Sequence, residues 1–303
     1  MRWQKKGIIF DPTGKFDWAV DTALQPTPII LNDEAIRVYA GFRNEEGISR
    51  VGWVDLDIND PTKVLQYSQK PILDIGLPGA FDDNGVVPTA IARRGEDLYL
   101  YYAGYQLVKK VRFLVLCGLA ISHDNGNTFK RFKNTPVLER SDTEFLFRVI
   151  HSILFDDNVW KVWYGAGNHF IPGEKKTLPV YDIRYIESKD GLTFPDKGQV
   201  AVKISDDEHR VGRPYVVKRK DKYHMYFGAS KISEIYCLAY AESNDGLNWE
   251  RKDEEIDMEN NDGDFDSEMN AYPSIIDVDN KTYMFYNGNE YGKYGIGLAI
   301  QEN

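Results

Sequence analysis

Apolar and polar positions alternate in short runs along most of this chain, and one arrangement of runs recurs. A short strand opened by proline leads into a polar turn, and an aromatic-rich strand ending in small residues follows. The copies read PIILNDEAIRVYAG, PTAIARRGEDLYLYYAG, HSILFDDNVWKVWYGAG, PYVVKRKDKYHMYFGA and PSIIDVDNKTYMFYNG, the third with His151 in place of proline. Counted from Pro28, Pro88, His151, Pro214 and Pro273, the intervals are 60, 63, 63 and 59 residues. A repeat of this length is one supersecondary unit that cannot bury its apolar face alone, so the period sets the architecture.

Each unit continues with a third apolar run (SRVGWVDLD, LVLCGLAIS, YDIRYIES, YCLAYAES, YGIGLAI). In three copies a polar turn before an aromatic comes next, SHDNGNTF, SKDGLTF and SNDGLNW, where Asp and Gly supply turn chemistry. A fourth strand is marked by Val137 and Leu138, by Val200 and Val202, and by Ile256. Four strands per unit predict an all-β, five-bladed β-propeller with four-stranded blades, forming a single domain over residues 1–303. The fifth unit runs out after its third strand, and WQKKGIIF near the N-terminus matches the fourth-strand pattern WERKDEEI. We therefore expect the N-terminal strand to complete the last blade, because a ring without an open edge needs its first and last blades tied together. A pair of β-sandwiches would also place strands every ~8–12 residues, but gives no reason for the longer self-similarity.

Composition narrows the function classes. Of 303 residues 42% are hydrophobic and 28% charged, a globular balance, and the 13% of aromatics favour strands and suit stacking on sugar rings. A net charge of −10 argues against nucleic acid as a partner, since phosphate-backbone binding relies on clustered Lys and Arg. The chain has neither an N-terminal apolar stretch of about 7–15 residues nor an apolar run of about 18, so a soluble, cytoplasmic protein without membrane insertion is expected. Cys117 and Cys237 fall in apolar runs of different repeats, and no disulfide is predicted. Histidine spacing and cysteine number offer no metal site, and no cofactor is expected.

The segments leading into the five inner strands read KFDWAVDTALQPT, GAFDDNGVVP, DTEFLFRVIH, DDEHRVGRP and DFDSEMNAYP; all carry carboxylates and two carry Arg and His. In a propeller these segments rim the axial funnel. Five repeats, acids ahead of each inner strand, S-x-D-G-x-x-[FW] turns and the YNGN segment together resemble the glycosidase propeller superfamily, which includes glycoside hydrolase families 32, 43, 68 and 130. The resemblance covers essentially the whole chain as architecture. The chain has Thr27-Pro28 and Arg213-Pro214 where family 43 places Asp-Pro and Glu-Gly-Pro, and it lacks the Asn-Asp-Pro-Asn, Arg-Asp-Pro and Glu-Cys motifs of family 32. FDDNGVVP is similar to the acid-containing segment of family 130-like propellers, and Arg213 in RPYVV resembles an arginine that holds anionic or hydroxyl groups there.

That resemblance implies a carbohydrate in the axial cleft. Glycoside cleavage needs two carboxyl groups flanking the bond, ~5–9.5 Å apart. Asp82 or Asp83, Glu208 and Glu268 are the candidates for that acid and base. Arg148, Arg210 and Arg213 could clamp a carboxylate, a phosphate or sugar hydroxyls. His151 would sit at the channel mouth, Asn287 and Asn289 could bind hydroxyls, and Tyr286, Tyr164 and Trp163 offer faces for stacking. Three readings follow: a glycoside hydrolase-like protein, a carbohydrate-binding propeller without the catalytic pair, and a protein handling sugar phosphates in cytoplasmic glycan assembly. The first requires two carboxyls facing one pocket; a binder requires one or none.

Overall fold

The computed structural model describes residues 1–174, 176–232, 236–258 and 263–302. Strand β1 (Gln4–Phe10) is followed by five antiparallel meanders, here called blades. Blade 1 holds β2 (Asp21–Ile30), β3 (Ala35–Arg43), β4 (Ser49–Asp57) and β5 (Val64–Tyr67). Blade 2 holds β6 (Val86–Arg94), β7 (Asp97–Leu107), β8 (Phe113–Ser122) and β9 (Lys130–Arg131). Blade 3 holds β10 (Phe147–Asp156), β11 (Val159–Pro172), β12 (Thr177–Ser188) and β13 (Gln199–Val202). Blade 4 holds β14 (Glu208–Arg219), β15 (Lys222–Lys231), β16 (Tyr236–Ser243) and β17 (Glu250–Arg251). Blade 5 holds β18 (Ala271–Val278), β19 (Lys281–Asn287) and β20 (Ile296–Glu302), and β1 pairs with β20 as its fourth strand, as the sequence pattern predicted.

The apolar core is divided into slabs, one between each pair of consecutive blades. Val51 and Leu73 meet Leu100 and Tyr102 between blades 1 and 2, and Tyr101 and Leu119 meet Ile150 and Val162 between blades 2 and 3. Further slabs join blades 3 and 4, and 4 and 5. Another joins blade 5 to blade 1, with Phe285 and Leu298 packed against Val38 and Val54, and this closes the ring. The inner strands β2, β6, β10, β14 and β18 touch one another in that same cycle. No helix among the described residues is long and apolar enough to cross a membrane.

The turns that open with Ser-x-Asp and carry a glycine next or one residue on do more than reverse the chain. The Ser122, Ser188 and Ser243 hydroxyls accept the N–H of Gly126, Gly191 and Gly246. The carbonyls of those glycines then accept a donor from the middle strand of the preceding blade: Tyr39, Tyr101 and Trp163 respectively. Gly126 has a φ of +82°, and a Cβ there would lie 2.0 Å from the Tyr39 hydroxyl oxygen, so both conformation and space demand glycine. The turn motif is therefore an interblade staple.

The acids of these turns set an acid limit. Burial opposes their ionisation, but the Thr128 hydroxyl and neighbouring N–H groups hold Asp124 down to about 2, and the Leu192 and Thr193 N–H groups hold Asp190 down to about 2. Glu242, bound by Lys222 and Lys252, is likewise held down to about 2 against its burial. Because these folded-state values lie below the unfolded ones, near ~4, their contribution is complete above pH ~4 and is lost as pH falls towards ~2. Urea denaturation across pH should accordingly show a stability plateau above pH ~5 and a decline below ~4 that is shallower in Asp190→Asn. A profile flat down to pH 2 would contradict this assignment.

Candidate functional site

Each inner strand is interrupted by a bulge, and the repeated prolines mark it. The register shifts lie between Leu24 and Thr27, Pro88 and Ala90, Ile150 and Ser152, Gly212 and Tyr215, and Ala271 and Ser274. Proline has no N–H to give a ladder, so it is tolerated where pairing breaks. His151, Pro214 and Pro273 sit inside their bulges and Pro88 at the start of its own. In blade 1 the bulge holds Pro26, whereas Pro28 pairs regularly with Val38. The blade 1 anchor therefore lies two residues earlier than the sequence repeat suggested.

Three residues that precede these prolines, Gln25, Arg213 and Tyr272, have φ of 55°, 54° and 56°. Such left-handed backbone costs roughly 1–2 kcal/mol per non-glycine residue, and here it turns all three side chains toward one cavity at the hub. That cavity has a volume of about 120 Å³. One side is apolar, formed by Ala103, Phe113, Val115, Phe147 and Val149 of blades 2 and 3. The other is polar, with Gln25, His151, Arg210, Arg213, Tyr236 and Tyr272. Tyr105, Gly165, Pro179 and Tyr181 complete the lining, and no carboxylate belongs to it among the described residues.

Arg213 is 2% exposed. Its Nη2 donates to the Pro26 carbonyl at 3.1 Å and the Thr27 hydroxyl at 3.0 Å, binding blade 4 to blade 1. Nε and Nη1 have no partner among the described residues. Burial, with no carboxylate to offset it, pushes its pKa down to about 10, so it stays charged at neutral pH. The Arg210 guanidinium lies 4.2 Å from the centre of the Tyr236 ring and donates to the Tyr291 hydroxyl at 3.3 Å, leaving Nε without a partner. Burial acts to lower its pKa, but Tyr236, Tyr181 and neighbouring tyrosines outweigh that and raise it. His151 is held well below its ordinary value by burial and then by Arg213, so it is neutral, and its Nδ1 has no partner. Gln25 is 6% exposed and its Oε1 also lacks a donor.

Of the predicted residues, the structure brings His151, Arg210 and Arg213 together at the hub. The carboxylates ahead of the inner strands turn into their own blades instead. Asp82 accepts from the Tyr102 hydroxyl at 3.0 Å and pairs with Arg131 of β9 at 2.8 Å. Glu144 holds Tyr164 and Arg184, and Asp266 holds Tyr286 and Lys5 of β1. Glu208 pairs with Arg251 of β17 through both oxygens at 2.9 Å, and this pairing outweighs burial to lower its pKa. Each acid thus clamps inner to outer strands, a role set by a cation on a distant strand. Asp83 caps the Gly79 N–H at 2.8 Å, and Glu268 is exposed.

Arg148 is likewise spent within blade 3 and its loops, on Glu144 at 2.6 Å and the carbonyls of Glu139 and Pro195. Trp163, Tyr164 and Tyr286 are buried between or within blades rather than at the hub. Asn289 accepts the N–H groups of Glu268 and Met269 and so shapes a loop. Asn287 ties the ring seam: its side chain donates to the Ala23 carbonyl and accepts the Gln25 N–H, both at 2.8 Å. It positions Gln25 and does not line the cavity. Gln25, Tyr181, Tyr236 and Tyr272 went unrecognised in the sequence, although Gln25-Pro26 and Tyr272-Pro273 share the X-Pro signal of Arg213-Pro214.

Two proteins of Mycobacterium tuberculosis strains, Uncharacterized protein Rv1502 and Uncharacterized protein MT1551, are each 34% identical to this chain over 307 residues, covering 100% of both partners. No protein-family model matches the chain. Among solved structures, a glycoside hydrolase superposes with a TM-score of 0.74 at 17% identity, covering 99% of this chain and 92% of the other. A thermostable family-43 glycoside hydrolase follows at 0.68 and 15%, covering 96% and 92%. The β-1,2-mannobiose phosphorylase of Listeria innocua gives 0.66 and 12%, covering 93% and 90%. At these identities the solved structures establish the fold: a glycosidase-like propeller.

Proposed function

The chain belongs to the family of the Mycobacterium tuberculosis protein Rv1502, and we propose that it is a carbohydrate-binding propeller that seats one sugar unit in its hub cavity. The observation that carries this reading is the set of polar atoms left without partners in a cavity that has an apolar wall. Buried polar groups are almost always satisfied, so those on Gln25, His151, Arg210 and Arg213 call for a ligand or water. A sugar ring presents C–H groups on its faces and hydroxyls at its rim, which suits Phe113 and Phe147 on one side and the polar residues on the other. The volume of about 120 Å³ is a little below the ~150 Å³ of a cavity that takes benzene, so it holds part of one sugar unit rather than a chain.

Hydrolysis by paired carboxyls finds less support. Asp82 and Glu208 are engaged within their blades, which leaves Asp83 and Glu268 to carry that reading. The test is a glycan array together with an aryl-glycoside panel. We expect saturable glycan binding without turnover, weakened about 3–10-fold by His151→Ala, the loss of one neutral hydrogen bond. Asp83→Asn and Glu268→Gln should bind as wild type. Turnover that either of those two variants abolishes would replace binding with hydrolysis, and glycan binding indifferent to His151→Ala would move the site away from the hub.

A further inference from the structure

We infer that the hub selects a sugar carrying a negative charge, a carboxylate or a phosphate, with a free hydroxyl beside it. This rests on the carbohydrate reading of the same cavity and names the class of ligand it takes. Buried charges in proteins are normally paired, because an unpaired one loses its hydration without compensation. This chain follows that rule at the buried Arg37 and Arg148 and also pairs the half-buried Arg131, Arg184, Arg219 and Arg251, each of the six holding an Asp or Glu carboxylate within 2.9 Å. Arg210 and Arg213 depart from it: the partners found for them are carbonyls, hydroxyls and aromatic faces. A buried guanidinium, Arg213, and a half-buried one, Arg210, therefore line one small cavity that holds no carboxylate among the described residues, in a protein whose net charge is −10.

The partnerless atoms also describe what the ligand must offer. Nε of Arg210, and Nε and Nη1 of Arg213, are donors and require acceptor oxygens. Gln25 Oε1 is an acceptor and requires a donor, which a fully deprotonated carboxylate or phosphate ester group lacks and a sugar hydroxyl supplies. His151 Nδ1 can serve as either. An anionic group joined to a hydroxylated ring meets both demands, and the apolar wall of Phe113, Val115 and Phe147 faces the ring.

Calorimetric titration of the full chain decides this, with glucuronate and galacturonate, their neutral parents glucose and galactose, glucose 1-phosphate, and inorganic phosphate as probes. We expect at least one charged sugar to bind 10-fold or more tighter than its neutral parent, with affinity falling as salt rises. Preference for the uronates identifies a carboxylate and preference for glucose 1-phosphate a phosphate; either supports the inference. Gln25→Glu, which puts a carboxylate into the cavity, and Arg210→Gln should each bring the charged-to-neutral affinity ratio close to one. Two variants are used because Arg213 also joins blades, and each is checked for a wild-type melting transition. Equal affinity for charged and neutral sugars would overturn the inference and leave the carbohydrate site standing. Inorganic phosphate binding as tightly as glucose 1-phosphate would overturn the requirement for a sugar. Absence of binding by every sugar would take the proposed function with it.

Discussion

Removal of residues 1–10 is expected to abolish cooperative folding of the whole ring. Strand β1 supplies the outer strand of blade 5, and its loss bares the edge of β20. The removed segment also places an aromatic in two different slabs. Trp3 packs edge-on against Tyr226 between blades 4 and 5, and Phe10 packs against Phe42 and Tyr67 between blades 5 and 1. Truncating a buried Phe or Trp costs about 3–5 kcal/mol, and a domain has only about 5–15 kcal/mol to lose. Trp3→Ala and Phe10→Ala should each cost about that much, nearly additively, because they lie in separate slabs. Thermal unfolding by circular dichroism checks the truncation, and a cooperative transition near the wild-type midpoint would show that the ring does not depend on this strand.

Glu144→Gln should be the most damaging single change among the blade carboxylates, with a loss of about 3–5 kcal/mol. Glu144 is 0% exposed and faces two arginines, Arg148 at 2.6 Å and Arg184 at 2.8 Å, together with the Tyr164 hydroxyl and the Gly198 N–H. A neutral amide leaves the buried Arg148 without a counter-charge and leaves Arg184 with Asp182 alone. Removing the stranded cation as well, in Glu144→Gln/Arg148→Gln, should recover part of the loss, since the two sites share one network and Arg184 keeps Asp182. Urea denaturation measures both variants, and a loss below about 1 kcal/mol in the single variant would mean that solvent, not Glu144, compensates these arginines.

The same carboxylate shows where sequence reading reached its limit. Acids ahead of every inner strand were visible in the chain and suggested a catalytic rim. Their direction was not visible, because it depends on Tyr102, Tyr164 and Tyr286 one strand away and on Arg131, Arg251 and Lys5 two or three strands away. Arg148 followed its acid into the blade for the same reason. Among the described residues Arg210 and Arg213 have no such acid partner, and they remain at the hub. The blade 1 anchor was placed two residues late because Pro26 and Pro28 read alike in sequence, and strand register alone separates them.

Whatever depends on spacing along one strand or turn was determined by the chain itself: the period of the repeat, four strands per unit, the Ser-x-Asp turns, and the N-terminal strand that closes blade 5. Neighbouring residues alone specify those features. The hub was decided by the tertiary structure, since Gln25, His151, Arg213 and Tyr272 come from four different blades and meet only when the ring has closed. The sign of its charge was decided there too, because a carboxylate that finds a cation inside its own blade is withdrawn from the axis and an arginine that finds none is left facing it.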